Sequence, residues 1–262
     1  MAIDKNKLRI ALSQIREDEM GYFLSSQFID LMHPLPNIAE RINKPRLFKC
    51  LQYIQDDLWN LETIALRLKW QKELCINDEI DEDLWLLFAA ADISFFYIEF
   101  RSIFDYLAKV IGEISDLPDQ IPSSYEKLEN WIIKSDNAKK LDNELAQIVQ
   151  SCTWFDETKE IRDSVVHRGA TTLVFRERSK ILFQVHQGLK NKISIPEVMD
   201  NPYVVNFELY AGLYLGYLIA YLEEISKPLY RLLNLNETGG RAKSYHSGLK
   251  VVHDWIESVV SL

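Results

Sequence analysis

The segment Glu160-Ile161-Arg162-Asp163-Ser164-Val165-Val166-His167-Arg168-Gly169 holds the residues best suited to chemistry. Ile161 and Val165 mark the apolar face of an amphipathic helix. Asp163 and His167 are four apart and therefore neighbours on its surface. A carboxylate beside an imidazole favours the charged ring and fixes its orientation. Arg162 lies about 140° round the helix from His167. Its long side chain can lean toward that histidine, in the same chain or in a second copy. A histidine can take a proton from a ribose 2′-hydroxyl or give one to a leaving 5′-oxygen. An arginine can stabilise the extra charge of a phosphorane-like transition state. Phosphodiester cleavage without a metal is the chemistry this combination suits. The structural alternative is an Asp–His hydrogen bond at a helix end, with His167 and Arg168 complementing the helix dipole.

Charge places the same segment apart from the rest. The 262-residue chain has a formal net charge of −9, which argues against nonspecific nucleic-acid binding over its whole surface. Residues 162–192 reverse that sign, with seven Lys/Arg against two acids. Arg168, Arg176, Arg178 and Lys180 are the candidate RNA-binding residues within it, a local footprint for a phosphate-rich ligand. The competing explanation is a solvated hairpin whose charged edges resist aggregation. No P-loop, GxGxxG, GxSxG, HExxH or CxxC motif occurs. His246 and His253, seven apart, lie two turns from one another, which is long for one metal; no metal and no cofactor is expected. Cys50, Cys75 and Cys152 read as reduced, mostly buried thiols of a reducing compartment. Residues 1–20 lack an uncharged apolar stretch, so no secretory signal is expected. The longest uncharged apolar run, 209–222, is 14 residues, against the ~18 or more needed to span a bilayer. A cytoplasmic protein with no membrane partner is the expectation.

Long helices must position these groups. Nine glycines and eight prolines are few, and most fall between segments of 3.6-residue period. That period predicts helices over 5–15, 46–74, 83–111, 125–133, 140–149, 155–167, 204–233 with a kink at Pro228, and 243–260. Residues 84–91 are apolar nearly all round and are expected in mid-core. The period changes once: 171–175 and 180–186 are β-branched and aromatic, and read as one β-hairpin. Gly212, Gly216 and Ala220 recur every four residues, which reads as close helix packing in the core rather than as a membrane dimer seam.

Two motifs resemble the HEPN superfamily of helical bundles. One is Arg162-Asp163-Ser164-Val165-Val166-His167, near the end of a late helix. The other is Phe100-Arg101-Ser102-Ile103-Phe104-Asp105-Tyr106-Leu107-Ala108-Lys109, similar to helices of HEPN-like proteins in bacterial toxin and defence systems. The resemblance covers roughly 83–233. It implies an all-α, mainly helical fold with one short β-hairpin insertion at about 171–186. A single domain is expected: flanking helices over 1–80, a core over 81–235 and a C-terminal helix over 236–262, with the terminal helices outside the core. A sheet of four or more strands would contradict this arrangement. The resemblance further implies a metal-independent endoribonuclease, a toxin or defence effector leaving 2′,3′-cyclic phosphate ends. Arg162 and His167 are then the catalytic pair, Asp163 the supporting polar residue, and a homodimer brings two such pairs to one cleft. RNA and a cognate protein are the implied partners. Other members have lost activity and serve as binding or scaffolding modules for a protein or a nucleotide. Asp163 departs from the Asn frequent in active members. Arg101 and Asp105 can pair within their helix, or Asp105 can face Arg162 and orient its guanidinium.

Overall fold

A computed structural model describes the chain other than residues 1, 35–39, 41, 135–136, 168–171, 176, 178, 185–192, 194 and 236–241, and the side chains of 166 and 167. The fold is mainly helical with two small antiparallel sheets. Helix α1 (Lys5–Gln14) starts where Asp4 accepts from the backbone N–H of Asn6 and Lys7, at 3.0 and 3.2 Å. Strands β1 (Ile15–Asp18) and β2 (Gly21–Leu24) form a tight hairpin whose Gly21 has φ +116°, a value that side chains disfavour. A short α2 (Gln27–Met32) follows. The two longest elements are α3 (Pro45–Ile76) and α4 (Glu82–Ile114), packed along one another. Leu47, Leu51, Ile54, Leu58, Leu61, Ala65 and Leu68 of α3 are all buried, as their spacing predicts.

Helices α5 (Tyr125–Ile133), α6 (Asn143–Ser151) and α7 (Phe155–His167) lead to the second sheet. Its strands are β3 (Leu173–Val174), β4 (Leu182–Gln184), β5 (Met199–Asn201) and β6 (Val204–Asn206), in the order β3-β4-β6-β5. Helix α8 (Phe207–Leu232) runs on past Pro228. Strand β7 (Ser244–Tyr245) joins β2, and α9 (Leu249–Val260) completes the described elements.

Three expectations need correction. The 171–186 hairpin exists as β3–β4, with Leu173 opposite Gln184 and Val174 opposite Phe183. It belongs to a four-stranded sheet, however, and a three-stranded sheet stands elsewhere. The missed strands are two to four residues long, too short to display alternation. Val204-Val205-Asn206 reads as a first helical turn, yet it pairs with β4. Asn206 then caps α8 by accepting from the N–H of Glu208 at 3.1 Å.

Second, the helices expected outside the core take part in it. Leu8 of α1, Leu47, Leu51, Leu61 and Leu68 of α3 and Ile256 of α9 are completely or almost completely buried in one continuous apolar cluster. A Cβ on Gly212 would lie 2.5 Å from the Trp255 carbonyl oxygen, and one on Gly216 would lie 2.5 Å from Leu8 Cδ2. The small-residue stripe is therefore the groove that receives α9 and α1 within the chain. Third, the start of α4 is not mid-core. Trp85 and Ala89 are buried, but Leu84, Leu87, Phe88 and Phe95 are exposed, Leu87 by 68%. Four apolar side chains at this spacing form a stripe on one outer face of the helix.

The centre of the core is aromatic. The Phe104 ring lies 4.3 Å from Phe155, 4.9 Å from Tyr125 and 5.6 Å from Trp154, centroid to centroid. It joins α4 to α5 and α7, and its contact with Tyr221 at 5.9 Å adds α8. No described helix is long and apolar enough to cross a membrane, and 210–222 are all buried in the core instead.

Candidate functional site

Helix α7 is anchored by a row of buried residues at three-residue steps: Phe155, Thr158, Ile161 and Ser164. Glu157, also buried, accepts a 2.6 Å hydrogen bond from the Tyr214 hydroxyl of α8. Arg162 and Asp163 are therefore held at the edge of the packed face, 25% and 34% exposed at their side chains. Arg162 Nη1 donates to Asp163 Oδ1 at 3.0 Å. The expected neighbour of Asp163 was His167, which closes α7; its side chain lies outside the described residues, as do Arg168, Arg176 and Arg178. Lys180 is described, and its ammonium pairs with Asp200 of β5 at 2.9 Å. The candidate cations that are described, Arg101, Arg162 and Lys180, each face a carboxylate.

Arg101 and Asp105 have structural partners. They pair within α4 at 3.5 Å. The Arg101 guanidinium lies over the Phe155 ring, 4.9 Å from its centroid, and donates to Ser124 Oγ at 3.3 Å. Asp105 accepts from the N–H of Tyr125 at 3.0 Å. It thus supplies the cap that the side chain of Ser124 does not give α5, meeting one of the donors left open at a helix start. The intrahelical pair is the arrangement present. Rather than orienting Arg162, these two residues clamp α4, α5 and α7 together.

His246 precedes α9 instead of lying on it. Its Nδ1 accepts from the Gly248 N–H at 3.0 Å and faces Glu62 Oε2 at 3.3 Å. Burial pushes the Glu62 carboxyl well up and lowers the imidazole. His253 has Asp254 and Glu257 beside it, with ligand-type atoms within 4.8 Å. Lys250 already holds both Asp254 oxygens at 3.2 Å, so the cluster reads as a solvated helix face.

Two carboxyls titrate near neutrality. Burial raises Asp57 to about 7, with Glu99 and Asp56 adding repulsion and the Ser102 hydroxyl opposing. Burial likewise raises Glu129 to about 7, helped by Asp156 and opposed by Lys159 and Arg101. The folded state therefore keeps protons that the unfolded chain has released. This contribution to stability is full below the ordinary carboxylate value and is lost as pH rises through about 7. The Asp57→Asn, Glu129→Gln variant is expected to gain thermal midpoint relative to the parent at pH 8 and not at pH 5. Calorimetry at both values checks this; an equal difference at the two pH values counts against it.

The sequence reading missed a cavity of about 230 Å³ between α3 and the second half of α4. Its walls carry Arg46, Lys49, Cys50 and Tyr53 from one helix and Tyr106, Lys109 and Glu113 from the other. The signal was present as helical spacing on each helix, 46-49/50-53 and 106-109-113, but which faces meet is a tertiary fact. Comparison with family models, with curated proteins and with solved structures gives no match to this chain.

Proposed function

We propose that the protein is a metal-independent endoribonuclease of HEPN type, acting as a toxin or defence effector through Arg162 and His167. The observation that supports it is the placement of both residues in the last two turns of α7, with Arg162 on the partly exposed edge of a firmly packed helix. His167 transfers the proton, Arg162 stabilises the phosphorane-like charge, and the basic segment that follows draws in RNA. Incubation of RNA with the parent and His167→Ala proteins in EDTA is the test.

The functional unit in this proposal is a homodimer. The outer stripe of Leu84, Leu87, Phe88 and Phe95 is the apolar surface that a second copy covers, since exposed patches of this kind mark interaction sites. Light scattering at micromolar concentration is expected to give a dimer mass, and Leu87→Asp with Phe95→Asp a monomer. A monomeric parent removes the paired-site arrangement.

One observation favours a second reading, a binding or scaffolding module without catalysis. The 3.0 Å pair with Asp163 neutralises the guanidinium that a phosphate would need.

A further inference from the structure

We propose that the cavity between α3 and α4 binds a small phosphate monoester that carries one planar ring. The inference stands on side chains outside α7, so it holds or fails independently of RNA cleavage there.

In a chain of net charge −9, this cavity is lined by Arg46, Lys49 and Lys109 against a single carboxylate, Glu113. Other cations do face carboxylates: Lys44 pairs with Asp116, Lys72 with Glu208 and Arg231 with Asp142 and Glu144. Arg46, Lys49 and Lys109 have no ion pair among the described residues. Cys50 adds no negative charge, because burial, with Glu113, holds its thiol above the ordinary range despite the two lysines.

The start of α3 carries a local conflict that an anion resolves. Arg46 and Lys49 occupy the opening turns of α3, where the helix dipole is positive and acids are the favoured residues. That first turn has no acidic residue and no side-chain cap. Like charge gathered at the positive end of a 32-residue helix is unfavourable for folding alone. Conflicts of this kind collect at functional sites, and a bound dianion accepts hydrogen bonds from the same cations that otherwise repel one another.

Tyr53 and Tyr106 come from opposite helices and lie 4.9 Å apart with planes tilted by 31°. Lys49 Nζ stands 5.7 Å from the Tyr53 centroid and Lys109 Nζ 4.5 Å from that of Tyr106. Each ammonium group thus stands over one of the two paired rings, and Tyr53 is itself exposed. A planar ring stacks on such a wall while its phosphate meets the cations. The cavity volume of about 230 Å³ accommodates a ligand of this size only in part, so the ring lies toward the open side, on Tyr53.

Adenosine 5′-monophosphate is the probe, titrated calorimetrically into the full chain. Adenosine, inorganic phosphate and a single-stranded oligoribonucleotide are the comparison arms. Alkylation of Cys50 supplies a second readout, because Cys50 is half-buried whereas Cys75 and Cys152 are buried. Saturable binding of the nucleotide is expected, with adenosine and inorganic phosphate each weaker by about tenfold or more, the scale of losing one charged hydrogen-bonded group or a ring contact. The bound nucleotide should slow Cys50 alkylation. Lys49→Glu with Lys109→Glu, both at exposed positions, should abolish both effects without lowering the thermal midpoint. The proposal is overturned by the absence of saturable binding, or by affinity that survives the double charge reversal. Inorganic phosphate binding as tightly as the nucleotide removes the ring, adenosine binding as tightly removes the phosphate, and tight binding of the oligoribonucleotide alone replaces the small ligand with RNA.

Discussion

RNA held with the protein in EDTA is expected to be cut to products ending in a 2′,3′-cyclic phosphate, and His167→Ala to lower the rate by about 10²–10⁴-fold, the scale of general acid–base catalysis. The only nucleophile the reaction needs is the 2′-hydroxyl already beside the phosphorus, so DNA of the same sequence should resist. Arg162→Ala is expected to lower the rate on the order of 10²–10³-fold, by analogy with loss of one oxyanion donor. The Arg162–Asp163 pair adds a sharper expectation. Asp163→Asn keeps a polar neighbour of the same shape but frees the guanidinium from its 3.0 Å ion pair, and should raise cleavage. Product analysis by end-group chemistry and a rate series over the four proteins decide the matter. Cleavage that disappears in EDTA, acts equally on DNA or survives His167→Ala sinks the mechanism and puts the binding-module reading in front.

Phe104→Ala is expected to destabilise the fold by about 3–5 kcal/mol, the usual cost of emptying a buried phenylalanine site. Phe104 is completely buried, and its ring touches Phe155, Tyr125, Trp154 and Tyr221 at centroid distances of 4.3 to 5.9 Å. Those partners come from α5, α7, α8 and the turn before α7. None can collapse into the space without breaking its own contacts, so the cavity term should remain large. Urea unfolding should show the midpoint falling with little change in slope. A loss below about 1 kcal/mol, the typical average for point substitutions, contradicts this picture of the core.

The long helices were legible because their period is local. The apolar spacing placed helices over 125–133 and 155–167, which are the ranges of α5 and α7. The short strands were not, because β3 and β7 are two residues each and owe their conformation to partners far along the chain. Nor was the exposed stripe of α4: Leu84, Leu87 and Phe88 look like core in a list of residue types, and only the absence of a packed neighbour on that side distinguishes them. In the candidate site, spacing singles out Arg162 and Asp163 and makes Asp163 a neighbour of His167, but the 3.0 Å pair of Asp163 with Arg162 depends on side-chain placement that spacing does not fix. The cavity rim escaped notice because cations dispersed over 46–49 and at 109 do not form a basic run. They converge only when α3 and α4 lie side by side.

The closure of the bundle also sets a schedule for biosynthesis. Leu8 meets Gly216, the Asp4 N–H donates to the Tyr217 hydroxyl at 2.8 Å, the Gln27 N–H donates to Glu223 at 2.9 Å, and β2 pairs with β7. Every one of these partners lies about 190 to 220 residues downstream. At ribosomal rates of ~5–20 residues per second, the segment around α1 and β2 waits on the order of 10–40 s for the residues that cover it. During that interval Leu8, Phe23 and Phe28, all buried in the finished fold, are open to chaperones and proteases. The α3–α4 pair, by contrast, needs only its own 70 residues or so and can form while the rest of the chain is still being made.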